Sequence, residues 1–160
     1  MLLADGRFKT IAEIKPGDLV KTGPGRNDVA HVVETFERTT TKGREIQFIW
    51  PGRNRSDSLR TTDEHLFWED GQGWVEAQKL KAGDWLLDDA ARRVQVTESW
   101  RIDGPLHVFT FRLREDQAFY ANGVLVHDLC GWWTPESPLA TPTRGPPSPT
   151  PAPQQTVKMK

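Results

Sequence analysis

The chain predicts an all-β domain of two pseudo-symmetric halves, followed by a disordered Pro-rich C-terminal tail. Three observations carry this expectation. First, a short motif occurs twice: residues 11–20 read IAEIKPGDLV and residues 77–86 read AQKLKAGDWL. Ile14 matches Leu80, Lys15 matches Lys81, Gly17-Asp18 matches Gly83-Asp84, and Val20 matches Leu86, with Asp84 lying 66 positions after Asp18. Self-similarity at a fixed offset reports repeated structure. Second, the stretches between turn signals are short and either alternate apolar with polar residues or are rich in β-branched and aromatic ones. Third, no apolar pattern supports an amphipathic helix longer than one turn.

The elements follow in order. Residues 1–4 look like the end of a strand running into the Asp5-Gly6 turn, where glycine accepts positive φ at no steric cost. Ile11 to Ile14 can make one helical turn, which Pro16-Gly17 stops. Asp18 opens a strand with Leu19 and Val20. Residues 22–28, TGPGRND, form a loop. Residues 29–41 predict a long strand, and residues 45–50 alternate so that Ile46, Phe48 and Trp50 share a face. A polar loop spans 51–57, a strand 58–62, and a further strand 65–68 after a brief break. Asp70-Gly71 then precedes the second copy of the motif, as Asp5-Gly6 precedes the first. Residues 92–102 place Val94, Val96, Trp100 and Ile102 together, with Glu98 the exception. Asp103-Gly104-Pro105 turns the chain into residues 107–113, with Phe109, Phe111 and Leu113 on one face. Two short strands, 118–120 and 124–127, are joined through Asn122-Gly123, a type I′ hairpin signal.

The domain is expected to occupy residues 1–130 and the tail residues 131–160. Residues 134–160 are dominated by Pro, Ser and Thr with almost nothing to bury, so disorder or polyproline geometry is expected there. All seven tryptophans and all seven phenylalanines precede that stretch, which gives the domain enough large apolar groups for a core. The formal net charge is −1 with acidic and basic residues mixed. No basic stripe points to nucleic acid, and no apolar run is long enough to span a bilayer. A single cysteine, Cys130, excludes an internal disulfide framework. No signal peptide is read at Met1, so the expected location is cytoplasmic unless the chain is exported within a larger protein. A monomer is expected.

Chemistry can sit in three places: Thr62-x-x-His65 at a strand end, His127 just before Asp128, and Cys130. Each has a structural alternative. His65 can be a core histidine bonded to a backbone carbonyl, and His127 a strand-end residue. His31 and His107 have no motif around them and read as structural. His65, His107, His127 and Cys130 are zinc-ligand types, but only His127 and Cys130 are closely spaced. Trp132-Trp133 can pack on the domain or anchor a partner.

In order and spacing these blocks resemble the Hint (Hedgehog/intein) family, close to bacterial intein-like and pretoxin Hint domains. The resemblance runs from Leu2 to Asp128. It rests on the Asp5-Gly6…Ile11-x-Glu13-Ile14-x-x-Gly17-Asp18-x-Val20 block, on Thr62-x-x-His65, on the segment from Gly73 to Leu86, and on Tyr120…Gly123-Val124-Leu125-Val126-His127-Asp128. It implies a horseshoe-shaped all-β fold and a self-processing chemistry whose substrate is the flanking polypeptide, with no cofactor and no metal. By resemblance His65 assists the departing amide nitrogen in an N-to-S or N-to-O acyl shift, a role suited to a near-neutral proton donor. Thr62 helps hold the scissile peptide, and His127 polarises the last peptide bond at residue 128. The chain departs from the pattern where Met1 stands without a Cys or Ser nucleophile, where Asp128 replaces the terminal Asn, and where Leu129 stands in place of Cys, Ser or Thr. The expectation is an N-terminally truncated, degenerate self-processing module. The alternative is a non-catalytic β-rich interaction module of a larger secreted or toxin-type protein, whose tail binds protein partners.

Overall fold

A computed structural model of the chain describes residues 1–114 and 118–128. The tail, Cys130 and Trp132-Trp133 lie outside the described residues. Within them the chain forms strands β1 (Leu19–Lys21), β2 (Val29–Thr40), β3 (Gly43–Ile49), β4 (Ser56–Thr62), β5 (Leu66–Glu69) and β6 (Gly73–Glu76). There follow β7 (Trp85–Leu87), β8 (Arg93–Ile102), β9 (Leu106–Leu113), β10 (Ala118–Ala121) and β11 (Val124–His127). Among the described residues the helical content is two 3-10 turns, Ile11–Glu13 and Ala77–Lys79. The fold is all-β, as the sequence predicts.

The two motif copies build the same turn, bond for bond. Gly17 N–H donates to the Val32 carbonyl at 2.8 Å, and Gly83 N–H to the Val96 carbonyl at 2.8 Å. The Asp18 carboxylate accepts from Lys15 N–H at 3.0 Å, and the Asp84 carboxylate from Lys81 N–H at 3.0 Å. Ala4 N–H donates to the Leu19 carbonyl, and Asp70 N–H to the Trp85 carbonyl. Gly17 and Gly83 sit at φ +95° and +98°. A Cβ at either would meet nothing within 4 Å, so the demand for glycine is torsional rather than steric. Each copy sends the same positions inward: Ile14 and Leu80, Val20 and Leu86, Val32 and Val96 are all buried.

The halves are joined by exchanged strands. β2 of the first half pairs antiparallel with β9 of the second, and β8 of the second with β3 of the first. One sheet runs β1-β2-β9; the other runs β10-β11-β5-β7-β8-β3-β4, with β6 on β5. Both exchanged pairs carry a register shift at corresponding places. One falls between Val32 and Glu34, the other where Gln47 and Phe48 oppose Glu98 and Val96. The extra residues, Val33 and Thr97, each follow a buried valine.

The bulge at Thr97 corrects one expectation. Val94 and Val96 are buried as expected, but Trp100 is 38% exposed and Ile102 only half-buried. One unpaired residue reverses the face of everything after it. Phe111 and Leu113 are buried while Phe109 is half-buried. The Asn122-Gly123 turn has positive φ at both positions, 48° and 88°, as a type I′ hairpin requires.

Candidate functional site

The Thr62-x-x-His65 segment is a tight turn from β4 into β5, and neighbouring strands fix it from several sides. His65 N–H reaches the Thr62 carbonyl at 3.3 Å, and the His65 carbonyl accepts from Ala77 N–H at 2.8 Å. Asp63 is tied by its backbone to Lys42 and Gln78. Its carboxylate accepts from Arg44 Nε at 3.1 Å, and Arg44 also donates to Ser99 Oγ. The loop is therefore a rigid mount for two side chains.

Those two side chains face one cleft of about 610 Å³. Its walls come from the Phe8–Ile11 stretch, from β4 and from β9; Met1 and Phe119 close the interior end. Thr62 Oγ1 is buried with no hydrogen-bond partner among the described residues. A buried hydroxyl usually finds one. His65 is buried beside it, its ring edge-on to Phe67 at 5.8 Å. Burial holds the His65 pKa down to about 3, and the charge of nearby His127 pushes the same way. The imidazole is thus neutral at physiological pH and keeps one nitrogen able to accept a proton. The Met1 α-amino group donates to the Lys9 carbonyl at 2.7 Å, and burial lowers its pKa. Among the described residues the cleft lining contains no cysteine and no serine.

His127 and Asp128 reach the neighbourhood from another direction. β11 pairs with β5 through Val126 and Phe67, which brings the end of β11 alongside the start of β5. His127 packs edge-on against Trp74 at 5.0 Å, and its Nδ1 lies 2.6 Å from the Asp128 main-chain oxygen. The Asp128 carboxylate is buried. Its Oδ2 accepts from Leu113 N–H at 3.0 Å, and its Oδ1 lies 3.3 Å from His127 Nδ1. Thr62 and His65 line the cleft; His127 and Asp128 do not line it, though His127 lies near enough to His65 for its charge to act there.

Three participants were not legible in the sequence. His107, read as structural, lines the cleft mouth, where it contacts Glu37 at 3.2 Å. The Leu113 amide and the Trp74 ring hold Asp128 and His127, and no local motif announces either. Among the described residues no group of three or more His, Cys, Asp or Glu is placed to hold a metal ion; Cys130 lies outside them.

Residues 1–129 match the model of the pretoxin Hint domain family. Among solved structures, the chain is similar to a bacterial intein-like domain from Clostridium thermocellum. The two are 34% identical, over 79% of this chain and 92% of that one, with a TM-score of 0.65. It shares its fold with the gp41-1 intein, at 21% identity over 79% of this chain and 91% of that one, TM-score 0.63. It does so too with a DnaB intein from Synechocystis sp. PCC 6803, at 17% identity over 79% and 92%, TM-score 0.59. No curated protein sequence matches. With its two exchanged halves, its Thr62-x-x-His65 turn and its closing His127, the chain belongs to the pretoxin Hint domain family.

Proposed function

We infer that the chain is a self-processing module whose substrate is its own flanking polypeptide. The observation that carries this is the pairing, in one cleft, of a buried unpartnered Thr62 hydroxyl with a buried neutral His65. A peptide seated there would find a hydroxyl to orient it and a neutral imidazole whose ring N–H can hydrogen-bond the departing nitrogen. Among the described residues no cysteine or serine lines the cleft; its hydroxyls are those of Thr10, Thr61 and Thr62, and on this reading a stronger nucleophile for the acyl shift comes from a flanking segment. Asp128 closes the usual terminal step, since a carboxylate lacks the amide nitrogen that forms a succinimide. The module is degenerate in that sense.

The test is a fusion that places a cysteine-led segment ahead of Met1, followed by mass spectrometry with and without added thiol. Thiol-dependent cleavage that His65→Ala abolishes is the expected result. An uncut fusion with a native spectrum favours the alternative, a non-catalytic interaction module.

A further inference from the structure

We propose that the cleft selects a polypeptide carrying an acidic side chain, and that Arg55 is the residue that binds its carboxylate. The proposal rests on the self-processing reading for what fills the cleft, the flanking polypeptide, and adds what that polypeptide carries. All but one of the charged side chains in the lining have polar partners. Lys9 Nζ is held by Asp18 at 2.8 Å, Arg60 Nε by Glu45 at 3.1 Å, and His107 Nε2 by Glu37 at 3.2 Å. The Glu13 carboxylate accepts from the Thr10 amide and hydroxyl, and the Asp57 carboxylate from the Ser58 amide at 2.8 Å. Arg55 lines the same cleft and is exposed, and among the described residues no carboxylate lies within ion-pairing distance of it.

The Arg55 guanidinium is also fixed in advance. It lies over the Trp50 ring, 3.7 Å from the centroid. Trp50 is itself held, 2% exposed and donating through Nε1 to the fully buried Asp88 at 3.0 Å. Gly123 packs against both: a Cβ there would lie 2.8 Å from Arg55 Nη2 and 3.0 Å from the Trp50 ring. Stacking on a ring face leaves the in-plane N–H fork open. That fork matches the two oxygens of a carboxylate, and a ligand need not order a long side chain on binding. Beside it Asn122 Nδ2 donates to the Ser58 carbonyl at 2.6 Å, which keeps this lip of the cleft in one shape. Arg55 directly precedes β4 and Thr62 ends it. The two are therefore roughly 23 Å apart along an extended strand, so the acidic residue sits about five to seven residues from the peptide bond at Thr62. At that distance Arg55 sets specificity and takes no part in the proton chemistry.

The experiment extends the full chain ahead of Met1 with about ten Gly/Ser residues, roughly 33 Å of reach when extended. One glutamate is placed at each added position in turn, with a glutamine version of each as its control. The readout is the Trp50 indole N–H resonance, assigned in the intact chain, so it needs no cleavage. At one register glutamate is expected to shift that resonance relative to glutamine, and added salt to shrink the difference. Arg55→Met abolishes the difference, and Arg55→Lys reduces it because an ammonium lacks the fork. Arg53→Gln and Arg60→Gln leave it in place. Three results overturn the proposal: no glutamate position moves the resonance, the shift survives Arg55→Met, or one equivalent of free N-acetylglutamate shifts the unextended chain equally. The last would make Arg55 a small-anion site. A fusion that is cut in the thiol assay without any glutamate-dependent shift removes this subsite alone; a shift in a fusion that is never cut removes only the self-processing reading.

Discussion

A buried hydroxyl without a partner forfeits its hydrogen bonds to water and gains nothing in return, so Thr62 is an informative residue to change. Thr62→Val keeps the branched shape and removes the orphaned oxygen. Stability is expected to stay level or rise by about 1 kcal/mol, while any processing at the cleft is lost. Urea midpoints alongside cleavage assays check both halves of the statement. A destabilised variant would mean the hydroxyl has a structural partner. His65 makes a second prediction, in pH. Its folded pKa of about 3 lies below the ordinary 6.5. Between those values the unfolded chain binds a proton that the folded chain refuses. Stability therefore falls as pH drops below about 6.5 and levels off below about 3, by roughly 2 kcal/mol at pH 5. His65→Gln is expected to flatten that slope in urea titrations. The Thr62-x-x-His65 spacing was legible because it is local. The partners of other buried groups were not. Asp88 is fully buried, accepting from Trp50 Nε1 at 3.0 Å and Arg92 Nε at 2.8 Å. Nothing in local spacing links residues 50 and 88.

At the scale of the element, the duplicated turn is the unit that places β1 against β2 and β7 against β8. Each copy depends on an aspartate folding back onto an amide three residues earlier, the Asx-type device of tight turns. Asp84→Ala is expected to cost about 1 kcal/mol, the worth of an ordinary hydrogen bond. Asp18→Ala is expected to cost more, because Asp18 also accepts from Lys9 Nζ at 2.8 Å. In the second copy the position matching Lys9 is Val75, and the contact of the largely exposed Lys81 with Asp84 is long, 4.0 Å. Thermal or urea denaturation of the two variants ranks them, and equal losses would mean the Lys9 contact contributes nothing. Strands were legible wherever apolar and polar residues alternate, and the hairpin at Asn122-Gly123 because its turn chemistry is distinctive. Trp100 falls off that pattern because of the bulge before it. A bulge is set by what two strands do opposite one another, and Thr97 looks like any other strand residue.

For the whole molecule, the repeat foretold two similar halves but not which edges they share. That choice lies in the pairing of residues far apart in the chain, β2 with β9 and β3 with β8, and no local pattern encodes it. The exchange has a consequence for folding. Severed in the exposed loop at residues 53–54, the first fragment keeps β1 on β2 but leaves β3 without either neighbour, exposing Ile46 and Phe48. The second keeps β5, β6, β7, β10 and β11 together, yet β8 loses β3 and β9 loses β2, exposing Phe111 and Leu113. Neither fragment can bury its own apolar face, so each alone is expected to lack a native, dispersed NMR spectrum. Mixed in equal amounts, they regain the β2–β9 and β3–β8 ladders together, because each fragment supplies the strand the other lacks. The expected result is a one-to-one complex with the intact chain's spectrum. A native spectrum from either fragment alone would mean its half folds independently, and the exchanged strands would then be decoration rather than what closes the core.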